Sequence, residues 1–177
     1  MIRKCKLIFI VCLSAFLLAA CSTESAKDQA GGKKEVNLLF NFATSSLDPN
    51  VDTSYVSLRA GITETLVHLN DEDLTIERWL AKSWDSEDGQ LWNFELREGV
   101  TFQNGKPMDG KAVKASLERA MKDSPAIKNA LRIESIEADG NALTIKTEVP
   151  FPEFPSELVH PNTSIIDVKE SDYINKP

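Results

Sequence analysis

A mixed α/β class of short strands, hairpins and a few helices is what the sequence predicts, and three patterns carry that prediction. Residues 91–96 alternate strictly, with Trp92, Phe94 and Leu96 on one face and Asn93 and Glu95 on the other, followed by Arg97, the period of a half-buried strand. Residues 133–138 and 143–149 flank Asp139-Gly140-Asn141, whose residues favour the backbone angles of a tight hairpin turn. Behind Asp109, the residues Val113, Leu117, Ala120 and Met121 recur at three- and four-residue spacing, the period of a helix with one buried face. Strands and helices interleaved in this way point away from a bundle or a sandwich.

Taken in chain order, the elements begin after a leader. Arg3, Lys4 and Lys6 precede the uncharged run 7–20, the layout of a secretory signal peptide and too short for a permanent membrane span. The run ends in Leu18-Ala19-Ala20-Cys21, which resembles the bacterial lipobox. Residues 1–20 are therefore expected to be a lipoprotein signal peptide, with Cys21 as the lipidated residue of the mature chain. Residues 21–34 are polar and read as a flexible tether. Two acyl chains on Cys21 would make attachment to the outer, extracytoplasmic face of the cell membrane stable. Cys5 and Cys12 would leave with the signal, so a disulfide framework, a thiolate metal site and a cysteine nucleophile are not expected.

Residues 35–177 are expected to form the folded part. Val36, Leu38, Leu39, Phe40 and Phe42 suggest a first strand over 35–42, buried on both faces. Leu47-Asp48-Pro49-Asn50 turns the chain, and residues 54–66 read as a helix that runs on into Val67-His68-Leu69. Turns are expected at 85–89 before the strand 91–96 and at 104–107 after Val100 and Phe102. Asp109 is placed to cap a helix reaching about Lys122, with Pro125 just beyond its end. Leu143, Ile145, Thr147 and Val149 should share the buried face of the hairpin. Pro150, Pro152 and Pro155 force an irregular passage into 157–159.

Charge and chemistry narrow the function classes. The whole chain carries 20 basic and 27 acidic residues, and without the leader's three cations the balance is 17 to 27, which argues against a nucleic-acid-binding face. There is no glycine-rich phosphate loop, no G-x-S-x-G elbow and no HExxH, and the two histidines, His68 and His160, lie far apart in sequence. An enzyme would need an acid-base or nucleophile set, and only carboxylates at ordinary turn positions are on offer, so no catalytic activity is expected. Asp71-Glu72-Asp73 and the acidic residues of 85–88 lack calcium-loop spacing and read as solvated turns. Trp79, Trp84 and Trp92 read as packing residues.

Leu47-Asp48-Pro49, Ile62-Thr63-Glu64-Thr65-Leu66, Leu80-Ala81-Lys82-Ser83-Trp84, the run from Trp92 to Phe102, Asn104-Gly105-Lys106-Pro107 and Ala112-Val113 resemble one family in order and spacing. That family is the solute-binding lipoproteins of peptide and nickel ABC importers, the bacterial extracellular solute-binding proteins of family 5. The resemblance implies a two-lobed periplasmic-binding fold of the peptide and nickel type. A ligand would sit between lobes that close over it and present it to permease and ATPase subunits. It places residues 35–177 in the first lobe, as an N-terminal portion without the second lobe or hinge, and so predicts exposed apolar edges and no tight ligand binding by this span alone.

The stretch 48–57 and the segment 157–162 are similar to the nickel-binding branch, in which both line the cleft. Asp52, Tyr55, His160 and Asn162 are the implied ligand contacts, with His160 as the candidate metal ligand. Some nickel-binding members carry an arginine where this chain has Asn162, which weakens a carboxylate-clamping role there. A nickel ion can arrive with its coordination largely filled by organic chelators, so a protein with few histidines suits that cargo. No resident cofactor is implied. The favoured ligand is a nickel chelate, and a di- or oligopeptide is the alternative.

Overall fold

The computed structural model describes residues 36–44 and 46–169. The leader, Cys21, the tether, Glu35 and the residues beyond 169 lie outside that range. The described residues from Leu38 to Lys169 form one compact unit.

That unit is built on an antiparallel sheet of four strands in the order β3-β4-β6-β5, comprising β3 Ala81–Asp85, β4 Leu91–Leu96, β5 Ile133–Asp139 and β6 Ala142–Thr147. The alternation read from sequence appears as it should. In β4, Trp92, Phe94 and Leu96 are buried, and in β6, Leu143, Ile145 and Thr147 are buried, while their neighbours face water. Such a sheet has one wet face, where the lysine-glutamate pairs Lys82–Glu95 and Lys146–Glu134 lie at 2.7 and 2.8 Å. Gly140 turns the β5-β6 hairpin at φ 55°, an angle that costs glycine nothing.

Two helices cover the dry face. The first of the pair runs Gly110–Asp123, with the Asp109 carboxylate accepting from the Ala112 amide at 2.9 Å as its cap, as the sequence predicts. Its stripe of Val113, Leu117 and Ala120 is fully buried. Gly110 is required by proximity: a Cβ there would lie 2.9 Å from the carbonyl oxygens of Gly140 and Ala142. The second helix, Pro125–Leu131, has no counterpart in the sequence reading. Pro125 does end the preceding helix, but with Ser124 as its cap it also starts another, since a proline at the first position forfeits only an amide that would go unpaired. Ile127 and Leu131 add to the core.

Preceding the sheet are a short helix, Val56–Arg59, and a small antiparallel pair, β1 Val67–Leu69 and β2 Ile76–Arg78. In chain order the helices are α1 Val56–Arg59, α2 Gly110–Asp123, α3 Pro125–Leu131 and α4 Phe154–Glu157, followed by a 3₁₀ turn, Pro161–Thr163.

Several expectations are corrected. The helix read over 54–66 is only the four residues of α1, because Gly61 takes φ 67° and the β-branched Thr63 and Thr65 lead into extended chain. The strand read at 35–42 is absent: residues 36–42 have no strand partner among the described residues, and Leu39 is 99% and Val36 77% exposed. An apolar strand is buried only when neighbours cover both faces and take its hydrogen bonds. Val149 is exposed, lying beyond the end of β6. Trp92 and Trp84 do pack, against Phe154 and Phe94 respectively. Trp79 instead follows directly on β2, its ring 4.9 Å from that of exposed His68 on β1.

Candidate functional site

The turn at Asp48 is closed by its own side chain, whose Oδ1 accepts from the Asn50 amide at 3.0 Å, and by the Asp52 amide donating to the Asp48 carbonyl at 2.9 Å. Both aspartates are then buried, Asp48 completely. A buried carboxylate is tolerated only with strong partners. For Asp48 the partner is Arg119 on α2, whose guanidinium forms a two-pronged pair with both carboxylate oxygens and also donates to Asn50 Oδ1 at 2.6 Å. Asp123, one turn further along α2, takes the guanidinium's Nε side at 3.4 Å.

Asp52 is used up locally. Its carboxylate accepts from Ser54 Oγ and the Ser54 and Val56 amides, capping α1, and from Thr44 Oγ1 at 3.1 Å. Desolvation pushes its pKa up, but these donors together outweigh it and hold the group below the ordinary carboxylate range. Asn162 ties the other end of the chain to the same turn. Its amide nitrogen donates to the carbonyls of Pro49 and Asp52, the latter at 2.9 Å, and its own carbonyl accepts from Asn50 Nδ2 at 2.9 Å. Ser116 completes the brace from α2, accepting from the Ile166 amide and donating to the Ser164 carbonyl.

Above this brace sit two half-buried rings, Tyr55 and His160, with centroids 5.5 Å apart in an edge-to-face arrangement. Tyr55 is held at φ 57°, ψ 29°, a left-handed conformation costing a non-glycine residue about 1 kcal/mol. Leu74 and Arg132 take the same left-handed region elsewhere in the chain, at φ 60° and 48°. Burial lowers the His160 pKa, with Glu157 pulling weakly the other way.

The four residues named from sequence, Asp52, Tyr55, His160 and Asn162, therefore meet in one place, although 105 or more residues of chain separate the first pair from the second. Within the cluster they divide: Asp52 and Asn162 are spent on the backbone, while Tyr55 and His160 present rings outward. Sequence reasoning missed Asp48, Asn50, Ser116 and Arg119. The Asp-Pro-Asn turn was visible, but nothing local signals that an arginine 71 positions later in the chain closes on it. Beside the brace lies a cleft of about 620 Å³ with mixed walls, Leu80, Val100 and Met108 on the apolar side and Glu64, Gln103 and Asp167 on the polar side; the two rings do not line it. Among the described residues, no group of three or more His, Cys, Asp and Glu side chains could hold a metal ion.

The chain belongs to the bacterial extracellular solute-binding proteins, family 5, whose middle-region model matches residues 75–177. It is 36% identical over 143 residues to the nickel-binding protein NikA of Staphylococcus aureus and 32% over 163 residues to the glutathione-binding protein GsiB of Escherichia coli K12. Those matches cover 81% and 87% of this chain but 28% and 30% of the relatives, so the chain spans less than a third of the length of the curated relatives it matches. Among solved structures, a nickel ABC transporter protein from Bacillus halodurans superposes with a TM-score of 0.74 at 64% identity, covering 76% of this chain and 28% of that one. Staphylococcus aureus NikA in complex with Ni(L-His)2 gives 0.68 at 38%, covering 73% and 27%. The murein tripeptide-binding protein MppA gives 0.68 at 22%, covering 78% and 32%, a likeness of fold alone.

Proposed function

We propose that this chain is the first-lobe portion of a substrate-binding lipoprotein that captures nickel as a small-molecule chelate and delivers it to the permease and ATPase subunits of an ABC importer. The observation that carries this reading is the 64% identity, over three quarters of the chain, to the Bacillus halodurans nickel transporter protein. The site chemistry supports it. Two half-exposed rings beside a hydrogen-bonded brace suit a cargo whose metal is already wrapped by organic ligands, and the described residues offer no cage of three or more His, Cys, Asp or Glu donors. A di- or oligopeptide is the second reading, favoured by the 32% identity to GsiB.

Calorimetry on the protein at the length of its relatives tests the pair. Nickel with free L-histidine should give saturable heat. No heat with that mixture, together with binding from a peptide library, would replace the nickel reading with the peptide one.

The anchor belongs to the same proposal. Residues 1–20 are removed, Cys21 takes the lipid and residues 21–34 tether the lobe to the extracytoplasmic face of the cell membrane, a layout supported by the basic, apolar and Leu-Ala-Ala-Cys segments in order. Globomycin treatment or Cys21→Ala should slow processing and move the protein out of the membrane fraction. Unchanged mobility and fractionation would sink the anchor.

A further inference from the structure

The chain contains one Asn-Gly step, Asn104-Gly105, and every other asparagine among the described residues is followed by a residue with a side chain. The main-chain nitrogen after an asparagine can attack the side-chain Cγ, and a glycine at that place puts no Cβ in the way. Both residues are exposed, in the tight turn between Phe102 and Lys106 on the rim of the mixed cleft. Gly105 takes φ 82°, so the turn itself demands the residue that leaves Asn104 open to attack.

The chemistry needs only water. The Gly105 nitrogen gives up its proton and bonds to Asn104 Cγ, the Cγ–Nδ2 bond breaks, and ammonia leaves behind a five-membered succinimide. Water then opens the ring at one carbonyl or the other, giving aspartate or an isoaspartate whose main chain runs through the side-chain carbons. The structure opposes the first step at three atoms. Asn104 Nδ2 donates to Asp167 Oδ2 at 3.0 Å, Asn104 Oδ1 accepts from the Lys106 amide at 3.0 Å, and the Gly105 amide donates to the Phe102 carbonyl at 2.8 Å. The side chain cannot swing toward Gly105, nor the Gly105 nitrogen shed its proton, until those bonds open.

Conversion undoes the same latch. Burial pushes the Asp167 carboxyl up, but the donors from Lys106 and Asn104 outweigh it and hold the group below its ordinary range. An ionised Asp167 would then meet a second carboxylate where an amide donor had been, and the Lys106 ammonium, 2.9 Å from Asp167 Oδ2, would be shared between the two.

Independently of the ligand-carrier reading, we propose that Asn104 is a site of spontaneous deamidation whose rate the Asp167 latch holds down, and that the carboxylate so formed repels Asp167 and releases the turn from it.

Ageing the full chain in mildly alkaline buffer, with peptide mapping by mass spectrometry, reads the conversion, and labelling by an isoaspartyl methyltransferase reads the isoaspartate share. Asn104 should convert before any other asparagine of the described residues, and more slowly in the folded protein than in urea. Earlier conversion elsewhere would overturn the site, and equal rates in the two states would overturn the protection. Asp167→Ala should raise the folded rate roughly 2- to 10-fold, the worth of one hydrogen bond. Asp167→Asn keeps a weaker, neutral acceptor and should fall between that variant and the wild type. Should circular dichroism show Asp167→Ala unfolded, Asp167→Asn carries the comparison. No increase in the folded variant overturns the latch.

The thermal midpoint reads the consequence. Asn104→Asp mimics the aspartate product and should melt below the wild type. Combining it with Asp167→Asn exchanges donor and acceptor across the latch and should recover most of the loss. A midpoint unchanged in Asn104→Asp, or no recovery in the double variant, would overturn the repulsion.

Discussion

The sheet with α2 and α3 and the brace around Asp48 are held by opposite means. The first has a continuous apolar core, in which Phe94, Leu96, Leu117, Leu131, Leu143 and Ile145 are almost wholly buried. Its stability is the sum of many small, direction-free terms, about 1.5 to 3 kcal/mol for each large side chain. The brace buries Asp48, Asn50, Asp52, Ser116 and Asn162, and each is tolerated only because a particular partner meets it. A core of the first kind degrades gradually when trimmed. A polar network of the second kind fails abruptly when one member is lost, because the stranded partner remains buried. This difference suits their positions, since the sheet is a platform and the brace ties together segments 110 or more positions apart in sequence.

The largest effect should come from the core. Leu143→Ala removes a fully buried side chain from β6 and should cost about 3 to 5 kcal/mol, read as a drop in the urea midpoint with little change in slope. Next is the brace. Arg119→Met leaves the Asp48 carboxylate buried without its guanidinium and should cost about 3 kcal/mol. Adding Asp48→Asn to Arg119→Met should recover much of that, since a neutral amide is cheaper to bury than an unpaired charge. No recovery would mean that the brace behaves like packing, and the contrast between the two regions would collapse. A third site lies where the sheet's own hairpin meets α2. Gly110→Ala pushes a methyl against two backbone oxygens that cannot swing away, and should cost about 1 to 3 kcal/mol. An unchanged midpoint would show that α2 can slide off the β5-β6 turn.

What the sequence disclosed follows the same division. The β4 alternation, the Asp-Gly-Asn hairpin and the capped stripe of α2 were all legible, because each depends on residues within a few positions of one another. The strand expected at 35–42 failed for the complementary reason: apolar residues state a need for cover, and local pattern cannot say whether anything meets it. Residues 76–78 and 81–85 were missed as strands because neither alternates cleanly; β3 carries a register shift between Ala81 and Ser83. At the site, the resemblance named Asp52, Tyr55, His160 and Asn162, but their division into supports and outward-facing rings depends on hydrogen bonds spanning 110 or more positions. Arg119 looks like one more charge on an amphipathic helix until the fold closes.

The smallest effect is in pH dependence, and it tests whether the brace rests on charge. Asp52 has a folded-state pKa below its ordinary value, because the donors from Ser54, Val56 and Thr44 outweigh its desolvation. A carboxylate depressed in the folded state contributes its full stabilisation above the unfolded pKa, about 3.9, and loses it as the pH falls through the lower folded value. Thermal midpoints should therefore decline more steeply below about pH 4 in the wild type than in Asp52→Asn. The variant begins lower at neutral pH, since an amide cannot accept from all four donors, and the two curves should converge in acid. Hydrogen exchange locates the loss: amides at 54–57 and 162–166 should lose protection before those of β4 and β6. Parallel midpoint curves, or simultaneous loss of protection in both regions, would show that the Asp52 charge does not set the acid limit of the brace.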